Sequence, residues 1–542
     1  MPRSIASTIA TTDRGATAMP PLRGRASTLI VRFAGVALGA LLVGCAGLPP
    51  PPADRVASTA ITDGRDTRLG KIVAPLLAAA PAGTSGFHAL HEPRDAFAAR
   101  MVLAATAERS IDAQYYIWHD DRAGTLLFEA LWRAAERGVR VRLLLDDVNT
   151  KGLDPLLAAL AAHPNFEVRL YNPFVQRSAR LLGFATEFGR LNRRMHNKSF
   201  TADNAATVVG GRNIGDEYFA AGDDALFADL DVLGVGPVAQ ETSAQFDRYW
   251  NSASAYPATA FVGTPGADGA RELEARFTAT RADPASAEYL DRVRGSSLVE
   301  ELQARHLALD WAVGHVVTDD PAKTLDASNR TDVLLFPELM RSLGRPERSL
   351  DIVSPYFVPG DEGTAALTEL ARRGVRVRIL TNSLAASDVG AVHAGYMKRR
   401  HDLLVAGIAL YEMKPRAATE HVEEHRGGSG SASGLHAKTY AVDGTKIFVG
   451  SFNFDPRSAH LNTELGVVIE SAALAGRLVT AFDSVVPLRA YEVRLAPEGD
   501  GLQWIERSAS GEEKRYDHEP ETSALRRFGV QILSFLPIES LL

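Results

Sequence analysis

Two stretches decide how this chain folds: Met195–Asn213, MHNKSFTADNAATVVGGRN, and Leu435–Asn453, LHAKTYAVDGTKIFVGSFN. Each carries His-x-Lys, an Asp seven residues after the His, and then Gly-x-x-Asn. His196 and His436 stand 240 residues apart, and so do Gly210 and Gly450. A single HNK reads as a surface histidine beside a lysine. Five residue types at four fixed spacings, present twice, do not arise by chance.

In a β-strand, residues i and i+2 share a face. His196 therefore projects with Lys198, and His436 with Lys438. An imidazole beside an ammonium suits an anion: lysine supplies fixed positive charge, and imidazole supplies a nucleophile or a proton. Asn213 and Asn453, each just past a strand ending in glycine, are placed to donate hydrogen bonds to the same anion. Gly210 and Gly450 leave room for close backbone approach.

Asp203 and Asp443 complete the two motifs but have the wrong parity for the shared face. VDGTK around Asp443 is a type I′ hairpin signal, so both aspartates read as turn residues. The carboxylates that orient the rings are expected in the strands that follow. Asp231 in DLDVLGVG and Glu464 in NTELGVV occupy similar places there.

The repetition extends well beyond the motifs. ERSIDAQYYIW from Glu108 matches ERSLDIVSPYF from Glu347, and AGTLLFEALWRAAERGVRVRLLL matches EGTAALTELARRGVRVRIL. Ser110 and Ser349 lie 239 residues apart, as do Gly124 and Gly363, while Gly138 and Gly374 lie 236 apart. Nearly constant offsets mark a tandem duplication. Each copy runs strand, helix with a glycine C-cap, strand, which is a βαβ unit of an α/β sheet. The expected partition is a signal segment over 1–44, a proline-rich tether over 45–74, and a first α/β domain over 75–265. An Ala-rich helical connection over 266–330 and a second domain over 331–542 with a C-terminal extension complete it.

The 542 residues are 46% hydrophobic and 23% charged, a globular composition. A net charge of −7 argues against nucleic acid as partner. Cys45 is the sole cysteine, so no internal disulfide forms. Arg23, Arg25 and Arg32 precede an apolar run from Phe33 to Val43 that is too short to span a bilayer. LVGC closes it, with either Met1 or Met19 as the start. GLPPPPADR then favours an extended polyproline spacer.

H-x-K-x4-D-x6-G-x-x-N in duplicate resembles the signature of the phospholipase D superfamily. GGRNIGDEYF, VSPYFVPG, the stretch from Gly374 to Tyr411 and the terminal LPIESLL are similar to bacterial cardiolipin synthases of the C type. The resemblance covers about residues 75 to 542. It implies two mixed-sheet α/β domains related by a pseudo-twofold, with one shared cleft and with no metal or other cofactor. It implies that His196, Lys198, Asp203, His436, Lys438 and Asp443 form the catalytic set, with His196 as nucleophile and His436 as acid and base. The substrates implied are membrane phospholipids: phosphatidylglycerol accepts a phosphatidyl group from phosphatidylethanolamine or from a second phosphatidylglycerol. The alternatives are a phospholipase D yielding phosphatidic acid, a nuclease of the superfamily, and a non-catalytic lipid-binding lipoprotein. Leu42–Gly44 before Cys45 resembles a bacterial lipobox, which makes Cys45 the lipidated residue. Ala46 after it favours the outer membrane.

Two further stretches carry recognisable patterns. HVEEH, His421–His425, matches a zinc-protease pattern, but it runs into RGGSGSASG and reads as a solvated charged loop. RRFGVQILSFLPIESLL from Arg526 is either an interfacial segment or a tail packed on its own domain.

Overall fold

The computed structural model describes residues 48–50, 52, 55–222, 228–325, 331–415, 434–497, 501–537, 539 and 542. Cys45, the apolar run before it and HVEEH lie outside the described residues.

The duplication is visible as two mixed sheets. The first comprises β1 (Ser85–Leu90), β2 (Ser110–Tyr115), β3 (Arg140–Asp146), β4 (Phe166–Tyr171), β5 (Ser199–Ala202), β6 (Ala206–Gly210), β7 (Asp231–Val235), β8 (Ala255–Pro257) and β9 (Asp310–Ala312). Its order is β8-β4-β3-β2-β5-β6-β7-β1-β9. The second comprises β10 (Gly314–Thr318), β11 (Ser349–Val353), β12 (Arg376–Asn382), β13 (Ala409–Met413), β14 (Lys438–Val442), β15 (Lys446–Gly450), β16 (Leu465–Ile469), β17 (Ala490–Leu495), β18 (Leu502–Arg507) and β19 (Glu513–Tyr516). Its order is β10-β16-β15-β14-β11-β12-β13-β17-β18-β19. In each, three parallel strands meet a three-stranded antiparallel meander that starts at the His-Lys strand.

The copies share internal detail. The helices Arg122–Glu136 and Gly360–Arg372 follow β2 and β11, and each is closed by a glycine in the left-handed region, Gly138 at φ 93° and Gly374 at φ 88°. The arginine of each VRVR strand reaches sideways to the aspartate of the neighbouring strand. Arg142 Nε donates to Asp112 at 2.7 Å and Arg378 Nε donates to Asp351 at 2.6 Å. The sheets pack against each other through Val209, Val232 and Phe87 on one side and Ile447, Val449 and Val467 on the other. Helices cover the outer faces, where separate apolar cores form.

Two boundaries differ from the expectation. The fold begins before residue 75: Arg55 donates to the Asn251 carbonyl at 2.5 Å, Ala60 N donates to Asp247 at 2.8 Å, and a helix runs over Arg68–Ala79. The tether composition stops at the prolines, and the residues after them pack on the first domain. The connecting region is helical over Gly269–Ala282, Pro284–Arg294 and Ser297–Gln303. Its last part is not: β9 closes the first sheet and β10 opens the second, so the domains join near Val313. No described helix is long and apolar enough to cross a membrane.

Candidate active site

The two motifs meet, and each depends on the other half of the chain. His196 N donates to the Thr463 carbonyl at 2.8 Å, and Thr463 N donates to the Arg194 carbonyl at 2.9 Å. His436 N donates to the Ala228 carbonyl at 2.9 Å. These backbone links cross the two rings. His196 Nδ1 lies 2.8 Å from Glu464 Oε2 of the second half, and His436 Nδ1 lies 2.6 Å from Asp229 Oδ2 of the first. A pair of half-sites that exchange their carboxylates must face a common pocket.

Glu464 stands where the strand pattern placed it. Asp231 does not. Its buried carboxylate pairs with Arg100 at 2.9 Å, and with Arg212 at 3.6 Å. Register explains the correction: Gly210 pairs with Asp231 in one sheet and Gly450 with Gly466 in the other, so the counterpart of Asp231 is a glycine. Asp229, just before the strand, is the counterpart of Glu464. Arg212 Nη2 donates to the Asp229 carbonyl at 2.7 Å, which ties the two aspartates into one buried assembly.

Lys198 and Lys438 share the face of their histidines. Lys198 Nζ donates to the His196 carbonyl at 2.6 Å, and Lys438 Nζ donates to the His436 carbonyl. Burial pushes the Lys198 ammonium well below its usual range and Lys438 down to about 8. Burial also lowers both imidazoles, with the nearby ammonium groups adding to it: His196 falls well below 6.5 and His436 to about 4. The two ammonium groups and the two imidazoles thus sit within electrostatic reach of one another, an arrangement suited to an anion.

Aromatic rings brace both histidines. Tyr116 meets His196 edge-on at 4.8 Å, and Tyr218 meets His436 at 5.3 Å. Asn213 is wholly buried; its Oδ1 accepts from Ile117 N at 3.2 Å and its Nδ2 donates to the Tyr218 hydroxyl at 3.1 Å. Asn453 is buried too, and its side-chain oxygen has no protein partner among the described residues.

Asp203 and Asp443 are placed away from this chemistry. Both occupy hairpin turns with positive φ, 52° and 54°. Each carboxylate accepts from three consecutive backbone N–H groups, Glu108–Ser110 for Asp203 and Glu347–Ser349 for Asp443. They pin the hairpin to the start of β2 or β11. Among the described residues one group gathers potential metal ligands, His119, Asp121 and Glu217, with ligand atoms within 4.8 Å. Asp121 is already engaged there, accepting from Gly124 N and Asp216 N.

Asp229, Arg212, Tyr116, Tyr218, Ser451 and Ser458 were not singled out from sequence. Asp229 had a signal: aligning Leu230 of DLDVLGVG with Leu465 of ELGVVIE sets Asp229 on Glu464. The others carry no motif and are defined only by the contacts.

Residues 102–250 and 339–486 each match the family described as "Cardiolipin synthase, PLD-like domain". The chain is 47% identical over 476 residues to cardiolipin synthase C of Escherichia coli K12, covering 88% of this chain and all of that one. It is 32% identical to an uncharacterized protein of Helicobacter pylori 26695, over 72% of this chain and 77% of that one. Among solved structures, the phosphatidylserine synthase of Haemophilus influenzae Rd KW20 shares the fold at a TM-score of 0.54 and 14% identity, covering 88% of this chain and all of that one. With two complete His-Lys motifs on two such domains, this chain belongs to the phospholipase D-like cardiolipin synthase family.

Proposed function

We propose that the chain is a phosphatidyltransferase that makes cardiolipin through a phosphohistidine. The observation that carries this reading is the exchange of carboxylates between the half-sites, which supports a single phosphoryl site served by both His-Lys pairs. The neutral His196 attacks the phosphorus of a phospholipid phosphodiester through Nε2. The bond from phosphorus to the head-group oxygen breaks, and His436, held as an imidazolium by the ionised Asp229 and the charge of the bound phosphodiester, gives that oxygen a proton. His436 then takes a proton from a glycerol hydroxyl of phosphatidylglycerol. That oxygen attacks the phosphohistidine, and cardiolipin leaves with His196 regenerated. Lys198 and Lys438 stabilise the charge on the phosphoryl oxygens, with Asn213 and Asn453 as neutral donors.

The order of the histidines is supported by their partners. Glu464 is fully buried, and burial raises it to about 7 against Lys198 and two serine hydroxyls that lower it. Glu464 gives up its proton near neutral pH, and the ionised carboxylate accepts Nδ1–H of the neutral His196, which leaves Nε2 free to attack. Burial raises Asp229 too, but His436 and the cations Lys438 and Arg212 outweigh it and bring Asp229 to about 2. An ionised Asp229 is the partner that an imidazolium at His436 requires.

Transfer is favoured over hydrolysis by the 47% identity to a cardiolipin synthase over nearly the whole chain. Lipidation at Cys45, which would hold the cleft at an envelope membrane, is part of the same reading. The C-terminal helix Ala524–Ser534 also fits a membrane surface. Val530 packs inward beside Leu384 and Ala394, while Leu525, Phe528, Ile532 and Phe535 form an exposed stripe. Labelled phosphatidylglycerol, with and without phosphatidylethanolamine, tests the chemistry. Labelled cardiolipin is expected, and phosphatidic acid as the sole product defeats the reading.

A further inference from the structure

Behind His436 lies a cavity of about 710 Å3, inside the ~300–1,000 Å3 range of small-ligand sites. Leu435 and Ala437 line it. They flank His436 in sequence and so face away from the side that His436 and Lys438 share. Asp229, whose carboxylate holds His436, lines the cavity as well.

The first half shows the same space filled. Strand register equates Leu144, Tyr171 and Ala255 with Leu380, Met413 and Ala490. Alignment on Asp229 and Glu464 equates Phe246 with Ala481 and Trp250 with Val485. In the first half, Tyr171, Phe246 and Trp250 are completely buried and pack with Leu144, Met195 and Ala255 as a closed cluster. In the second half their counterparts Met413, Ala481 and Val485 all line the cavity. Three aromatic rings have become smaller side chains at matched positions, which opens part of the cavity.

The mouth carries chemistry of its own. Arg477 stands there with its side chain 63% exposed, and its one ion pair among the described residues, to Asp310, is long at 3.5 Å. Val485 is 51% exposed beside it. An adjoining recess shares Met413, Val485 and Val486 and ends at Leu488 and Arg489. An apolar slot with cationic residues at its openings is complementary to a hydrocarbon chain that carries an anionic head. An unfilled apolar space also forfeits dispersion contacts that such a chain restores. We propose that this cavity holds one acyl chain of an anionic phospholipid, with Arg477 at the lipid phosphate. The proposal rests on the reading that phospholipids are the substrates, and it names a place where one of their chains is held.

The test uses the full chain and a phosphatidylglycerol bearing a diazirine near the end of one acyl chain, irradiated in mixed micelles and mapped by mass spectrometry. Label is expected on the peptides carrying Met413, Leu435 or Leu474–Val486. Ala481→Phe, which copies the first half, is expected to reduce that label on the order of tenfold. The same variant should slow transfer from dioleoyl phosphatidylglycerol and spare the dihexanoyl lipid, whose chains are too short to need the slot. If Ala481→Phe does not fold, Ala481→Leu gives the same readout at smaller volume. Label confined to other peptides, or undiminished in a folded variant, overturns the proposal. His196→Ala separates the two readings: it removes turnover and is expected to keep the label. A wild-type protein that is labelled in the cavity yet makes no cardiolipin would refute the activity and leave the chain site standing.

Discussion

The half-site around His196 and the half-site around His436 share a backbone and differ in how the carboxylate is held. Ser451 and Ser458 both donate hydroxyl hydrogen bonds to Glu464. The counterpart of Ser451 is Gly211, where a Cβ would come within 2.2 Å of Asp229 Oδ1. The counterpart of Ser458 is Tyr218, whose ring meets His436 instead. Asp229 Oδ1 accepts from its neighbour's backbone, Leu230 N, at 2.8 Å. A longer acid with two rotatable hydroxyls thus stands against a shorter acid with a fixed N–H donor. Duplication preserved the backbone of the half-site, and a handful of substitutions changed how its carboxylate is held.

The largest effect breaks the comparison outright. His196→Ala is expected to reduce cardiolipin formation on the order of 10^4-fold or more and to remove the trapped phosphoprotein. His436→Ala is expected to slow turnover of ordinary phospholipids comparably, yet to form the phosphoprotein from a substrate with a good leaving group such as p-nitrophenol. Phosphohistidine trapped on His436 in the His196→Ala protein would reverse the assignment.

Next come the carboxylates. In Asp229→Asn, Leu230 N cannot turn and must keep the amide oxygen as its acceptor. The amide NH2 is then directed at His436 Nδ1 and imposes the wrong tautomer. A loss on the order of 10^3–10^4-fold in kcat is expected, as for other aspartates that fix a catalytic ring. In Glu464→Gln the Ser458 hydroxyl can rotate to accept from the amide NH2 while Ser451 still donates to the oxygen, so the oxygen still faces His196. That loss is expected to be on the order of tenfold. Equal losses in the two variants would show that the serines do not set the difference.

The contrast between Asp229 and Asp231 shows what the sequence could reveal. Parity arguments found the His-Lys faces, the hairpin role of Asp203 and Asp443, and the βαβ order, because those are local and periodic. DLD offers two carboxylates of equal parity, and only sheet register says which one a glycine replaces in the other copy. Glu464 was legible since NTEL has a single acid at that place. Crossed pairing was not legible at all, because nothing near His196 in sequence names residue 464. Arg212 in GGRN carries no sign of its place either, and it is fully buried against Asp229. The tether misled by composition: proline and polar residues predict a spacer, but Arg55 and Ser58 find partners on Asn251.

A smaller effect sharpens the comparison at the turns. Asp203→Ala and Asp443→Ala each remove the acceptor of three N–H groups. Asp203 is 1% exposed, and leaving those donors buried costs about 1–3 kcal/mol. Asp443 sits in a more open turn, where water replaces the carboxylate, so its variant should lose less. Chemical denaturation measures both, and the folded fraction should keep its kcat. A first-order loss of kcat in folded Asp203→Ala would return that aspartate to the chemistry.

The smallest effect is one of stability against pH. Glu464 is raised from 4.5 to about 7, so the folded state holds its proton where the unfolded chain has released it. That contribution is complete below about pH 4.5 and declines as pH rises through about 7. Glutamine at 464 has no proton to release and escapes the decline. The buried histidines oppose this trend, since neutral rings favour the folded state as pH rises through their lowered values, but His436 does so in both proteins. The Tm of Glu464→Gln minus that of the wild type should therefore become more positive between about pH 4.5 and 7, by a shift on the order of a few °C. Asp229→Asn should show the opposite drift. Its carboxylate is lowered from 3.8 to about 2, so the wild type loses that contribution only in acid, below about pH 4, and the variant lacks it above. A flat difference for Glu464→Gln would mean that Glu464 is ionised like Asp229, and the proton division between the two half-sites would have to be abandoned.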